Sequence, residues 1–253
     1  MVTTITVITT ATKNNAKKMI DLHSHLLPAI DDGVDTFEES VEILQELAAH
    51  GITELFLTPH YIPETIYNSP RADNLKLFGE LEKAVKEETD LDLKLHLGNE
   101  IYIAPEISQL LKEKTLSPLS DSKYLLVELP MSGVFDGYED IFRDLVAEGY
   151  QIILAHPERY LSVQKDFKIL ERLKGLGVLF QANLGSIIGQ YGRHAQKTVK
   201  KMTKQDLIFC FGTDTHHMRD FAEIDLALAK LEKIYGKAKL DVLLTDNPLK
   251  IHK

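Results

Sequence analysis

Cysteine is nearly missing from this chain of 253 residues, and tryptophan is wholly so. The single thiol, Cys210, excludes an internal disulfide framework and fits a reducing cytoplasm. Basic charge is also short: 29 Lys and Arg against 38 Asp and Glu leave a net charge of -9, which argues against a nucleic-acid surface. No apolar run approaches the length that spans a bilayer. The first 18 residues, MVTTITVITTATKNNAKK, lack the charged start and apolar centre of a signal peptide. They read as an extension of unknown role, strand-like at first and a polar linker afterwards. Glycine and proline are few for the length, and no linker or composition shift divides residues 19–253, which read as one domain.

What is present is a repeated alternation of short apolar run and amphipathic helix. Strands are expected around Ile20, over Ile52–Leu57, Leu93–Leu97, Tyr124–Val127, Ile152–Leu154, Val178–Gln181 and Leu207–Phe211. Between them, Thr36 and Glu39 have capping-box spacing ahead of a first helix ended by Gly51. Ser69-Pro70 marks the start of a second, with Leu75, Phe78, Leu81 and Val85 as its stripe. Helices are further expected around Glu106–Glu113, Tyr138–Glu148, Gln164–Lys174 and His194–Met202, and one or two closing helices carry Phe221, Ile224, Leu228, Leu231 and Ile234. Seven strand-then-helix units in series predict an α/β fold, a parallel (β/α) barrel more than an open sheet.

The chain is organised around MIDLHSHLLPAIDDG, Met19 to Gly33. In an extended strand His23 and His25 project to the same face, about 7 Å apart, close enough to share one metal ion. Asp31 or Asp32, just before Gly33, can fold back over that face. Two imidazoles with carboxylates suit zinc, manganese or iron. His-x-His alone is weak, and a single histidine at a strand end is more often a surface or capping residue. Here, however, His60 follows the second strand and Glu100 the third, while Glu128 ends the fourth and His156 the fifth. Asp214 and His216 follow the seventh. In a (β/α) barrel those strand ends converge on one mouth. Eight candidate ligands exceed the needs of one ion and suggest two or three, with Glu100 or Glu128 free to bridge. His50, His96, His194, His217 and His252 read as ordinary.

The segments MIDLHSHLLPAIDDG, TPH, GNE, VELP, AHPERY and GTDTHH closely resemble the bacterial PHP-superfamily tyrosine phosphatases of capsule and exopolysaccharide synthesis, over nearly all of Met19 to Pro248. The resemblance implies a single-domain, distorted seven-stranded (β/α) barrel of PHP type. It implies a manganese-preferring trinuclear site, with iron, zinc or cobalt as substitutes, held by His23, His25, Asp32, His60, Glu100, Glu128, His156, Asp214 and His216. It also implies Arg159 as the phosphate-gripping residue. The family's second arginine lies five residues beyond its last histidine ligand; Phe221 holds that offset here, and Arg219 is the nearest candidate.

The implied chemistry is phosphomonoester hydrolysis by metal-activated hydroxide, with no covalent intermediate. Asp214 or His216 would pass a proton to the leaving phenolate. The implied partner is the phosphotyrosine tail of a bacterial tyrosine kinase in the cytoplasm, and Tyr61, Tyr67, Tyr102, Phe135 and Tyr160 are candidates to flank the phosphotyrosine ring. Thiol phosphatases place an arginine six residues after their cysteine, where Cys210 has His216, so Cys210 reads as core. The alternatives are a histidinol-phosphate phosphatase of the same superfamily, an amidohydrolase, and a metal-binding interaction protein without catalysis.

Overall fold

The computed structural model describes residues 18–252, so the expectation for the N-terminal extension falls, Lys18 apart, outside the described residues. The apolar runs form nine short strands: β1 (Met19–Asp21), β2 (Ile52–Leu57), β3 (His60–Tyr61), β4 (Lys94–Leu97), β5 (Glu100–Tyr102), β6 (Tyr124–Glu128), β7 (Gln151–Ala155), β8 (Leu179–Asn183) and β9 (Cys210–Gly212). Every pairing is parallel, in a three-stranded sheet ordered β1-β2-β4 and a six-stranded sheet ordered β3-β5-β6-β7-β8-β9.

Two interruptions turn the expected seven strands into nine. Pro59 has no N–H for the ladder and separates β2 from β3. Gly98-Asn99 separates β4 from β5, and a Cβ at position 98 would stand 2.6 Å from Leu119 Cδ2, so a larger residue there would have to displace the buried Leu119 side chain. The sheets touch again beyond β1 and β9, where Ser24 and Thr215 form a parallel bridge. His25 N donates to Thr215 O at 2.8 Å and Asp214 N to His23 O at 3.0 Å.

Among the described residues, ten α-helices connect and cover the strands: α1 (Phe37–Ala49), α2 (Arg71–Glu88), α3 (Ile107–Lys112), α4 (Tyr138–Ala147), α5 (Leu161–Lys165), α6 (Lys168–Gly175), α7 (Leu184–Ile188), α8 (Gly192–Lys204), α9 (Ile224–Tyr235) and α10 (Lys237–Asp241). Thr36 caps α1 as expected, its Oγ1 accepting from Glu39 N at 3.1 Å. The start of α2 differs: Pro70 is its N-cap, and Ser69 Oγ instead donates to Asn74 Oδ1 at 2.7 Å. That bond belongs to a helix rotated to bury Asn74, which leaves Leu75 43% exposed while Leu81 and Val85 stay in the core. Ile234 is likewise exposed on α9. The helix expected over 164–174 is split into α5 and α6 at Asp166, which is extended and whose Oδ1 accepts from Lys168 N at 3.1 Å.

The apolar residues divide between a large core under the helices and a smaller inner one. The inner core takes alternate strand positions, Ile20 and Leu22, Leu126, Ile153 and Ala155, together with Phe56, Cys210 and Ile251. Strands covered on both faces account for the near-continuous apolar runs.

Candidate metal centre

His23, His25, His60, Glu100, Glu128, His156, Asp214 and His216 all stand at or just past the C-terminal ends of strands, and Asp32 joins them from the loop after His25. That loop folds back because Val34 N donates to His25 O and Ala29 N to Val34 O. A Cβ at Gly33 would lie 1.9 Å from His25 O, so the Asp-Asp-Gly turn closes only with glycine. Two of the residues have left-handed backbone uncommon outside glycine, His156 (φ 31°) and Asp214 (φ 56°), a strain that clusters at functional sites.

Four buried donor atoms form one compact group. His23 Nε2 lies 3.1 Å from His25 Nε2 and 3.1 Å from Glu100 Oε2, and Asp214 Oδ1 is 3.3 Å from His23 Nε2 and 3.5 Å from His25 Nε2. Glu100 Oε2 also faces His60 Nδ1 at 3.1 Å, and the same nitrogen is 3.1 Å from Glu128 Oε1. Asp32 Oδ1 stands 3.4 Å from both His60 Nε2 and His216 Nε2. His156 Nε2 reaches the other oxygen of Glu100 at 2.8 Å. Glu100 therefore has imidazoles on both carboxylate oxygens.

Burial opposes charge on Glu100 and Asp214, but neighbouring imidazoles, His23 foremost, hold both carboxyls well below the usual range. Burial also pushes His23 down, yet Glu100 and Asp214 outweigh it and lift the imidazole to about 9. In the absence of metal, protonated imidazoles balance these carboxylates, and once deprotonated they would leave the negative charge to bound cations. Buried His60 Nδ1, Glu100 Oε2 and Glu128 Oε1 make no hydrogen bond, and the donors mix imidazole nitrogen with carboxylate oxygen, so the residues fit divalent metal ions.

Sequence reasoning missed the residues that aim these donors. Gln181 Oε1 accepts from His23 Nδ1 at 2.9 Å, Asp31 Oδ2 from His25 Nδ1 at 2.7 Å, and the Asp214 carbonyl from His216 Nδ1 at 3.0 Å. Each bond holds a proton on Nδ1, so that an imidazole that gives up its other proton would turn the Nε2 lone pair into the cluster. Gln181 in turn donates to Asn183 Oδ1, and Asn183 donates to Asp214 Oδ2 at 2.7 Å. Only Asp31, as one of two alternatives, carried a signal in the sequence; the amides carried none.

Arg159 lies in the turn after β7 and donates through Nη1 to Asp214 Oδ2, with Tyr191 stacked 4.4 Å from its guanidinium. Buried Glu158 anchors that turn by accepting from Asn183 N and Ser186 Oγ. A cavity of about 230 Å³ opens here, lined by Asp32, Arg159, Tyr191, Asp214, His216 and Arg219 among others. Arg219 is 82% exposed at its rim. The aromatic expectation needs correction: Tyr160 is fully buried, its hydroxyl donating to Ala155 O and accepting from Leu129 N, and Tyr61 belongs to the large core. Packing claimed these rings. Tyr67 remains near the mouth, 6.3 Å from the His60 ring, whereas Tyr191, unforeseen, lines the cavity.

A family model described as "Capsular polysaccharide synthesis, CpsB/CapC" matches residues 19–253. The chain is 34% identical to the tyrosine-protein phosphatase YwqE of Bacillus subtilis (strain 168), over 90% of its length and 89% of the relative's. It is 27% identical to the tyrosine-protein phosphatase CpsB of Streptococcus pneumoniae, over 92% and 98% of the two chains. Among solved structures it superposes with a TM-score of 0.86, at 32% identity and covering 92% of this chain and 94% of the other, on a chain from crystal structures of YwqE and CpsB, described as unique metal-dependent tyrosine phosphatases. The chain belongs to the CpsB/CapC family of capsular polysaccharide synthesis.

Proposed function

We propose that this protein is a metal-dependent protein-tyrosine phosphatase of capsular or exopolysaccharide synthesis. One observation carries the reading: buried Glu100 gathers His23, His25, His60 and His156 beside an arginine that lines an open cavity. The names of the relatives favour phosphotyrosine over histidinol phosphate as substrate. The Ser24–Thr215 bridge supports a ring of seven strands, with β2–β3 and β4–β5 each counted once, as a distorted barrel.

His23, His25, Asp32, His60, Glu100, Glu128, His156, Asp214 and His216 would hold two or three Mn2+ ions. Such ions supply Lewis acidity and an activated water near neutral pH. Arg159 binds the phosphoryl oxygens through its planar fork, which a lysine point charge reproduces poorly. Arg219 approaches them from the cavity rim. Asp214 and His216 are the residues assigned to pass a proton to the leaving phenolate; as metal ligands they would relay one from bound water and supply none of their own, and the phenolate is a fairly good leaving group that asks little of its acid. Tyr191 keeps one side of Arg159 from water. The partner on this reading is the phosphorylated tail of a bacterial tyrosine kinase, met in the cytoplasm. Among the described residues no helix is long and apolar enough to cross a membrane.

The test sets a phosphotyrosine peptide beside histidinol phosphate, with Mn2+ and then with chelator. Metal-dependent turnover of the peptide alone, lost in His60→Ala, is the expected result. Preference for histidinol phosphate would retain the centre and overturn the substrate.

A further inference from the structure

A second group of imidazoles and a carboxylate lies apart from the candidate centre, on residues within the strands instead of beyond their ends. Glu54 is in the first half of β2 and His96 is in β4, each upstream of the strand ends that lead to His60 and Glu100. His252 is brought to them by the final turn, Pro248–His252, whose Ile251 is buried in the inner core. His96 Nε2 and His252 Nε2 each stand 3.1 Å from the same oxygen, Glu54 Oε2. The two imidazole rings are 4.8 Å apart, and the Phe56 ring stacks on both, at 4.6 and 5.9 Å. That aromatic floor limits how far either ring can turn away.

These contacts are hydrogen bonds whose spacing also suits ligands around a small cation. Donor atoms at about 2.0 Å from a tetrahedral ion lie about 3.3 Å from one another, so the two 3.1 Å edges need little adjustment. Ser120 Oγ is 3.5 Å from His96 Nδ1, in place to accept its proton and leave Nε2 to the ion. Lys94 Nζ pairs at 3.0 Å with the other carboxylate oxygen, Oε1, and leaves Oε2 to the imidazoles. All three side chains are partly exposed, which gives an ion a path in.

We propose that Glu54, His96 and His252 bind one zinc-class divalent cation, distinct from the candidate centre, which clips the C-terminal turn onto β2 and β4. Two imidazoles and one carboxylate form a borderline donor set that selects Zn2+, Co2+ or Ni2+ over Mg2+ and Ca2+, with water completing four-coordination.

The full-length protein is stripped with chelator, equilibrated with Zn2+ and dialysed, and its zinc is counted for the unaltered chain, His252→Ala and His96→Gln. Each variant is expected to retain one zinc fewer per chain and to lose part of the zinc-induced rise in Tm. Substitution with Co2+ provides a spectroscopic reading, in which His252→Ala removes one four-coordinate absorption component. Turnover of a phosphotyrosine peptide with Mn2+ stays unchanged in His252→Ala. Equal zinc content in the three proteins, or an undiminished Tm rise in both variants, would overturn the proposal. So would a zinc deficit accompanied by lost Mn2+-supported turnover, because it would place the missing ion in the candidate centre.

Discussion

Arg159 Nη1 donates to Asp214 Oδ2, while Asp214 Oδ1 faces His23 and His25, so one carboxylate joins the cavity's arginine to the heart of the histidine cluster. On the proposed function, a phosphoryl group entering the cavity would compete with Asp214 for that guanidinium. Replacing Arg159 with lysine keeps the charge and loses the fork. Arg159→Lys is expected to lower kcat/KM for a phosphotyrosine peptide about 10²-fold, the scale for removing one positioned donor at a reacting oxyanion. Bound manganese, counted in the same preparation, should not change. A variant with full activity would remove Arg159 from the chemistry.

The Gln181–Asn183–Asp214 chain yields a second prediction. Gln181 sets the His23 tautomer, and outer partners of this kind are worth about 10- to 100-fold in metal affinity. Gln181→Ala should weaken Mn2+ binding on that scale, with turnover restored at high metal concentration. Asp31→Asn should behave similarly, since Asp31 accepts from both His25 Nδ1 and the His60 backbone N–H. Loss of turnover that no metal concentration restores would give these residues a more direct part.

These two residues also mark where the sequence stops being legible. The donors at strand ends were readable because metal-ligating side chains at corresponding positions of successive strands are rare by chance. Gln181 and Asn183 are amides, a type with no ligand signature, and Gln181 reaches His23 across 158 positions of sequence. Asp31 and Asp32 are adjacent ahead of Gly33, and only the folded turn separates their roles, Asp31 behind His25 and Asp32 between His60 and His216. The strand breaks are visible in hindsight as Thr-Pro-His and Gly-Asn-Glu, yet neither motif states that a ladder resumes three residues later in another sheet. The split at Asp166 was hidden because both halves keep helical apolar spacing.

Protonation of the cluster sets a pH dependence. Burial disfavours the charged His23 imidazole, but Glu100 and Asp214 raise it from 6.5 to about 9. A raised imidazole stabilises the metal-free fold fully below its unfolded value and loses that contribution as pH rises toward 9. The Tm of chelated protein is therefore expected to fall across this window. Metal binding must displace the same proton, so Mn2+ affinity should rise across it, with proton release visible by calorimetry in buffers of different ionisation enthalpy. Affinity independent of pH would mean that His23 is not a ligand.

Tyr160 separates packing from substrate contact. Its hydroxyl donates to Ala155 O at 2.7 Å and accepts from Leu129 N at 3.0 Å, tying the turn after β7 to the end of β6. Tyr160→Phe leaves a buried N–H and a buried carbonyl without this partner, a loss of about 1–3 kcal/mol in unfolding free energy. Because the ring is wholly buried, KM for a phosphotyrosine peptide should be unaffected. Tyr191 is the contrasting case, since it lines the cavity and stacks on Arg159. Tyr191→Ala should raise KM by weakening the hold on Arg159, with a smaller effect on stability. Denaturant unfolding and steady-state kinetics on both variants decide the matter: a raised KM without destabilisation in Tyr160→Phe would return that ring to the substrate site.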